Sequence, residues 1–280
     1  MGRIEFIHIA STGGGLMQNR DEVEVVPRSG VVGDRYATGS GFWQDDRVSR
    51  DLTLIEAEAM DALADLNIKL APGETRRNLT TRGINLPDLI GQVFWIGDLI
   101  ARGTSRCNPC QHLVELTGKP ILRPLVGRGG IRADVLTRGR IRVGDPIEVA
   151  NVQSGVGVLV VRAHEVLVGR RLSAHGYGTW SVPGGRPQPG ESALSCASRE
   201  LREETGLEAE DHQIVGESLD AFPESHSVFH TTFVRVRPVG AQPRALEPEK
   251  TAAWEWRRWN RLPGPLFAPV QSLAVSGYVL

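Results

Sequence analysis

The sequence predicts two domains: a β-rich first half with few helices, then a half in which strands surround one long helix. Three observations predict this. The chain has 280 residues, more than one core commonly organises and enough for two domains of roughly 100–200 residues each. The first half is a series of short β-like runs cut by glycine. The second half sets a single long helical pattern between β-like runs. The expected domains are residues 1–150 and 156–280, with the break and a short linker at 151–155.

The elements follow in order. "RIEFIHIA", "VEVVP", "QVFWIGDLIARG" and "GRIRVGDPIEVA" are rich in Val and Ile and bounded by Gly, Pro or Asp, as strands are. "LTLIEAEAMDALADLN" reads instead as a helix, with Leu54, Ala57, Ala59, Met60, Leu63 and Leu66 on one apolar face. After the linker "NVQSG", strands are expected at 156–163 and 165–171, a helix at 192–205, strands at 212–221 and 228–237, and a short helix near 266–276. A tryptophan-rich stretch precedes that last helix.

Composition narrows the function. Charged residues make up 23% and the net charge is −1. This balance fits a globular protein and offers no electrostatic footprint for polymeric nucleic acid. No apolar run approaches the ~18 residues of a membrane span, and "MGRIEFIHIASTGGG" lacks the pattern of a signal peptide. Three cysteines are too few for a disulfide framework and fit a reducing cytoplasm.

The strongest signal lies in "GRPQPGESALSCASRELREETGL". Glu200, Glu203 and Glu204 fall at i, i+3 and i+4, so on a helix they share one face. Such a cluster on its own also reads as an acidic, solvent-facing helix. A hard divalent cation would relieve the repulsion, since Mg²⁺ takes oxygen ligands and bridges carboxylates to phosphates. Gly206 supplies a helix stop. The full spacing runs Gly185, five residues, Glu191, seven residues, Arg199-Glu200-Leu201-x-Glu203-Glu204-x-Gly206-Leu207. It matches every fixed position of the Nudix box, and the segment resembles Nudix hydrolases.

That resemblance implies an α/β/α sandwich and Mg²⁺-dependent hydrolysis of nucleoside diphosphate derivatives, with Mn²⁺ as an alternative ion. It implies Glu200, Glu203 and Glu204 as metal ligands, Arg199 as their orienting residue and Glu191 as a supporting acid. "GTWSVPGG" and "LEPEKTAAWEWRRWNRLPGPLFAPVQSL" resemble the branch acting on nucleoside triphosphates, modified purine forms included. Trp254, Trp256 and Trp259 read as core or as stacking platforms for a base. Glu247 and Glu249 read as extra acids or surface residues. His226 and His230 read as site-lining or as plain strand residues.

In the first half, "SRCNPCQHLVEL" raises three chemistries. Zinc takes four ligands, whereas Cys107, Cys110 and His112 are three. A redox pair wants a βαβ context, which these surroundings do not offer. Pro109 and the amphipathic run after it suggest that Cys110 opens a short helix, a position that favours a reactive thiolate. The segments "GVVGDRYATGSG", "LTLIEAE", "ETRRNLTTRGINL", "IGQVFWIGDLIARG", "NPCQHL" and "GRGGIRADVLTRGRIRVGDPIEV", in this order, resemble MOSC domains, named for the C-terminal part of molybdenum-cofactor sulfurases.

This second resemblance implies a β-barrel in which Cys110 ligates molybdenum or carries sulfur. Arg35, Arg76, Arg77, Asn78, Arg128 and Arg132 would bind the phosphate and pterin of the molybdenum cofactor, with Cys107 a neighbouring filler. The expected protein is a cytoplasmic MOSC–Nudix fusion whose chemistry is independent of pyridoxal phosphate. Its partners are a small nucleotide substrate and molybdopterin or a sulfur-acceptor protein, with no membrane. The first half would reduce N-hydroxylated compounds, modified bases among them. The alternative is a persulfide carrier joined to a regulatory nucleotide sensor.

Overall fold

Strand pairing closes the first half of the chain on itself. The computed structural model describes residues 1–43, 51–240 and 242–280 and divides into two units, Met1–Ala150 and Asn151–Leu280. The first contains β1 (Gly2–Ile9), β2 (Gln18–Arg20), β3 (Glu22–Val26), β4 (Gly30–Val31), β5 (Leu52–Glu56), α1 (Ala57–Ala64), β6 (Leu79–Arg82), β7 (Val93–Ile96), β8 (Leu99–Arg106), α2 (Gln111–Thr117), β9 (Ile131–Val135), β10 (Gly139–Arg142) and β11 (Pro146–Val149). Pairing runs β11–β7–β8–β9–β5–β6–β1, and β1 pairs back with β11. Seven strands therefore form a barrel, which leaves none of them an unpaired edge. Ile4, Ile7, Leu54, Leu79, Phe94 and Ile131 fill its core.

The expected helix from Leu52 onward is corrected. Leu52–Glu56 is a strand, and the helix is only Ala57–Ala64. β5 lies between β6 and β9, so its backbone groups find ladder partners on both sides. That outweighs a helical preference of a few tenths of a kcal/mol per residue. β5 and β6 are parallel, and α1 lies in the crossover such a pair requires. Leu66, expected on the apolar face, is exposed.

Before β9 the chain passes Gly130 at φ +91°, where a Cβ would lie 1.9 Å from the Leu54 carbonyl oxygen. Gly130→Ala is expected to destabilise the protein by at least the ~1–3 kcal/mol of a strained backbone position. Chemical denaturation with an unchanged midpoint would contradict this.

The second unit contains β12 (Val152–Arg162), β13 (Glu165–Arg171), β14 (Trp180–Ser181), β15 (Gly184–Gly185), α3 (Ala193–Thr205), β16 (Glu208–Phe222), β17 (Ser227–Val239), β18 (Thr251–Arg258) and α4 (Ala268–Val275). Its strands order as β14–β13–β12–β17–β16, with β15 on β12 and β18 on β13. Residues 152–155, expected as linker, are the first part of β12, where Val152 already pairs with Val228. Alternation along β12 decides which helix covers which face. Val156, Val158 and Val160 pack with Cys196, Ala197 and Leu201 of α3, while Leu159 packs with Val270 and Leu273 of α4. One helix on each face makes an α/β/α sandwich. No helix of the described residues is long and apolar enough to cross a membrane.

Candidate functional site

Local sequence places the acidic helix. Ser192 caps α3 by accepting from the Ser195 amide at 3.2 Å, and Gly206 ends it in the left-handed conformation at φ +69°. Cys196, Ala197, Leu201 and Thr205 are buried, leaving Arg199, Glu200 and Glu203 off the core face. At Gly185 a Cβ would sit 2.2 Å from a Glu200 carboxylate oxygen, so the missing side chain makes the space that the carboxylate fills. The Gly184 amide donates to Glu204 Oε2 at 3.1 Å.

Arg199 distributes its guanidinium among three acids. Nε and Nη2 hold Glu191 at 2.9 and 2.8 Å, and Nη1 reaches Glu200 at 2.8 Å and Glu203 at 2.9 Å. Bonds from Arg199 and from the Gln188 amide hold the Glu191 carboxyl down to about 2. Glu200 and Glu204 go the other way. Burial pushes Glu204 up to about 8, with Glu200 and Glu247 adding like charge against the Gly184 amide and Arg171. Burial also raises Glu200, opposed by Arg199 and reinforced by Glu203 and Glu247. Among the described residues no three acid, His or Cys side chains converge on a metal-sized point, since the Arg199 fork stands among Glu191, Glu200 and Glu203.

A cavity of about 340 Å³ opens beside Gly184 and Gly185. Its aromatic lining is Phe222, Phe229, Phe233, Phe267 and His175. The His175 ring lies 4.2, 5.6 and 5.5 Å from those of Phe222, Phe229 and Phe267. Two cations face the rings: Arg171 at 4.3 Å from the Phe267 centroid and Arg186 at 5.0 Å from that of Phe229. Arg171 donates to the His175 carbonyl and to Ser173 Oγ, both at 3.1 Å. Burial lowers the His175 imidazole below its usual value, and Arg171 and Arg186 add to this against Glu224.

Several residues weighed from sequence lie elsewhere. None of Trp254, Trp256 and Trp259 lines the cavity. Trp254 donates to the Glu204 carbonyl at 3.2 Å, Trp256 packs on the α3-side core under Arg162, and Trp259 donates to the Tyr278 carbonyl. His226 sits in a left-handed turn position before β17, and His230 pairs with Glu217 at 3.2 Å. Glu247 stands near the acids but pairs with Lys250 at 2.7 Å, whereas Glu249 is exposed.

In the barrel unit, hydrogen bonds tie the motif segments into one cluster. Arg35 donates to the Arg76 carbonyl at 2.9 Å. Arg77 donates to the Cys107 carbonyl at 2.8 Å and the Gly129 carbonyl at 2.9 Å, and the Cys107 amide donates to the Gly130 carbonyl. A Cβ at Gly129 would lie 2.5 Å from the Cys107 carbonyl oxygen, so glycine lets the cysteine loop pack. The side chains expected to bind an anion also bond within the protein. Arg35 also pairs with Asp34, Arg76 donates to the Gly13 and Gly15 carbonyls, and Asn78 is bonded to Thr53 and the His8 carbonyl. Arg132 donates to the Arg106 carbonyl, and Arg128 is exposed. Most of these groups bind backbone because loops closing a barrel carry carbonyls that no ladder satisfies.

Cys110 is the N-cap of α2 and half-buried. Cys107 and Cys196 are buried, and burial with the nearby Glu191 carboxylate pushes the Cys196 thiol up to about 12. One fast-reacting thiol per native chain is therefore expected, lost in Cys110→Ser. Native-state titration finding two or three fast thiols, or one that survives the substitution, would contradict this.

Comparisons with known proteins agree with this division. The NUDIX domain model matches residues 152–273 and the MOSC domain model residues 42–148. The chain is similar to the mRNA-decapping protein g5R of African swine fever virus, 50% identical over 20% of this chain and 22% of that one. It is similar to the NAD-capped RNA hydrolase NudC of Pseudomonas entomophila, 33% identical over 38% of this chain and 36% of that one. The chain thus spans about a third or less of the length of these curated relatives. Among solved structures, the MutT NUDIX hydrolase of Burkholderia pseudomallei aligns with 45% of this chain and 97% of its own, at 24% identity and a TM-score of 0.43.

Proposed function

We propose, for a chain that carries a MOSC domain followed by a NUDIX domain, that the NUDIX unit hydrolyses a pyrophosphate bond in a nucleotide. The observation that carries the proposal is the set of Glu200 and Glu203, braced by Arg199, and Glu204, held by the Gly184 amide, beside an aromatic pocket that Gly184 and Gly185 line. The donor set fits a divalent ion once Arg199 yields the place it holds between Glu200 and Glu203, with burial and like charge raising Glu200 and Glu204. Glu200, Glu203 and Glu204 would hold Mg²⁺ or Mn²⁺, which supplies charge neutralisation at the phosphates and activates water.

The remaining work falls to the chain. Phe222, Phe229 and Phe267 enclose a base by stacking and edge contacts. Arg186, next to Gly185, takes phosphate oxygens between the pocket and α3. Arg199 keeps Glu191 fixed with two bonds and can release Glu200 and Glu203, which share its single Nη1. Glu204 would have to ionise to serve as a ligand, and the Gly184 amide would hold that carboxylate in place. Steady-state hydrolysis of a nucleotide panel with Mg²⁺ tests the proposal. A capped RNA belongs in that panel, because two relatives are named for capped substrates.

For the MOSC unit we propose that Cys110 is the working thiol, either as a molybdenum ligand or as a persulfide carrier. Its thiolate suits both tasks. The arginines assigned to a cofactor phosphate are largely bonded to backbone, so they do not form a ready phosphate cage and no reaction step is derived through the cofactor. Metal analysis for molybdenum against mass spectrometry for a one-sulfur adduct on Cys110 separates the two roles. Their pairing in one chain motivates a joint role, with reduction of N-hydroxylated bases beside hydrolysis of altered nucleotides. Protein made with ample molybdate that holds no molybdopterin and reduces no N-hydroxylated base would refute that role.

A further inference from the structure

The pocket beside α3 is one-sided in its charge: its ionic side chains are arginines, and among the described residues no carboxylate or carboxamide lines it. Its charged side chains are Arg171 and Arg186, which donate and cannot accept. Arg171 is held in place by bonds from Nε to the His175 carbonyl and from Nη2 to Ser173 Oγ, which leaves its other N–H groups available. Its guanidinium lies over Phe267, against the rings that would enclose a base. The His175 ring stands among Phe222, Phe229 and Phe267 and, uncharged, offers one donor and one acceptor nitrogen. Of the three hydroxyls, Ser173 accepts from Arg171, Ser181 donates to the Val182 carbonyl, and Thr231 also lines the pocket.

Bases differ in what their edges ask for. Guanine, hypoxanthine and uracil present a ring carbonyl where adenine and cytosine present an exocyclic amino group. A carbonyl facing a fixed guanidinium gains a charge-assisted bond. An amino group facing it meets donor with donor, and no side-chain carboxylate or carboxamide in the pocket accepts from it. We infer that this pocket selects nucleotides with keto-edged bases over those with amino-edged bases, with Arg171 as the specificity-determining residue. The inference rests on the reading of the NUDIX unit as a nucleotide hydrolase.

The sharpest comparison is ITP with ATP, whose bases differ at one exocyclic group. With the full chain and Mg²⁺, kcat/KM is expected to favour ITP by about tenfold or more, and UTP over CTP in the same direction, as for sites built around a hydrogen bond. Arg171→Gln, which places a carboxamide there, is expected to bring the ITP/ATP ratio close to one. A separate arm measures inosine and adenosine binding to metal-free protein by calorimetry, which needs neither phosphates nor turnover. Preference for inosine there supports the inference even if no nucleotide is hydrolysed, in which case the hydrolase reading alone falls. Equal binding, preference for adenosine, or no nucleoside binding overturns the inference, as does an ITP/ATP ratio of one or less in the wild type.

Discussion

Glu204→Gln is expected to abolish turnover while making the metal-free protein more stable at neutral pH. The loss should exceed the ~10–100-fold typical of residues that only support a metal ligand. The gain follows from linkage. Burial raises the Glu204 carboxyl from 4.5 to about 8, so the folded protein keeps a proton that the unfolded chain gives up near pH 4.5. Stability from that proton is fully present below about pH 4.5 and is lost as pH rises through about 8. Metal-free wild type should therefore melt at falling temperature from pH 5 to pH 8.5, and the glutamine variant should flatten this slope. The difference near pH 8.5 is about 2 kcal/mol, below full linkage because the side chain keeps some contact with solvent. A bound cation favours the ionised carboxylate, so chelation should cost more stability at pH 8.5 than at pH 6. A variant both less active and less stable in the metal-free state at every pH would show that Glu204 supports the fold rather than a metal.

Arg199→Leu is expected to lower kcat/KM by ~10–100-fold and to weaken metal binding by a similar factor. Without the guanidinium, Glu191 loses its bidentate partner and Glu200 and Glu203 lose the nitrogen they share. Arg199→Lys should restore little, since a point charge on a flexible stem cannot hold three carboxylates at fixed angles. Full rescue by lysine would reduce the role of Arg199 to charge alone. Metal titration followed by thermal shift reads the affinity, and steady-state kinetics the activity.

The acid helix was legible because its information is local. One stretch of 23 residues holds the cap, the spaced acids, the arginine and the stop, and the structure brings Glu191, Arg199, Glu200 and Glu203 into contact in that order. The pocket was not legible in this way. His175, Phe222, Phe229 and Phe267 come from separate parts of the chain, and only the pairing of β16 with β17 and the seat of α4 bring them together. The clustered tryptophans stand out in the sequence instead, yet Trp254 and Trp256 on β18 and Trp259 just after it are directed to core contacts and backbone carbonyls. Arg171 carried one signal that could have been read: an arginine pair ending a strand with an apolar centre just before a turn.

The barrel shows the same contrast. Gly129 and Gly130 stand out in the sequence as glycines, and the structure gives each a steric reason. What one sequence does not reveal is that Arg35, Arg77 and Asn78 also tie loops together. Their partners include backbone carbonyls, Asp34 and Thr53. The strand at Leu52–Glu56 was misread for a related reason, because only its neighbours β6 and β9 decide against the helix.

The measurement that tests the account most directly is steady-state hydrolysis of a nucleoside triphosphate and capped-RNA panel by the full chain with Mg²⁺, set beside the double variant Glu203→Gln with Glu204→Gln. The account predicts turnover of at least one substrate, lost on chelation and lost in the double variant while the fold persists. No turnover with any substrate, or turnover unchanged in the double variant, would contradict it and favour a nucleotide sensor in place of an enzyme.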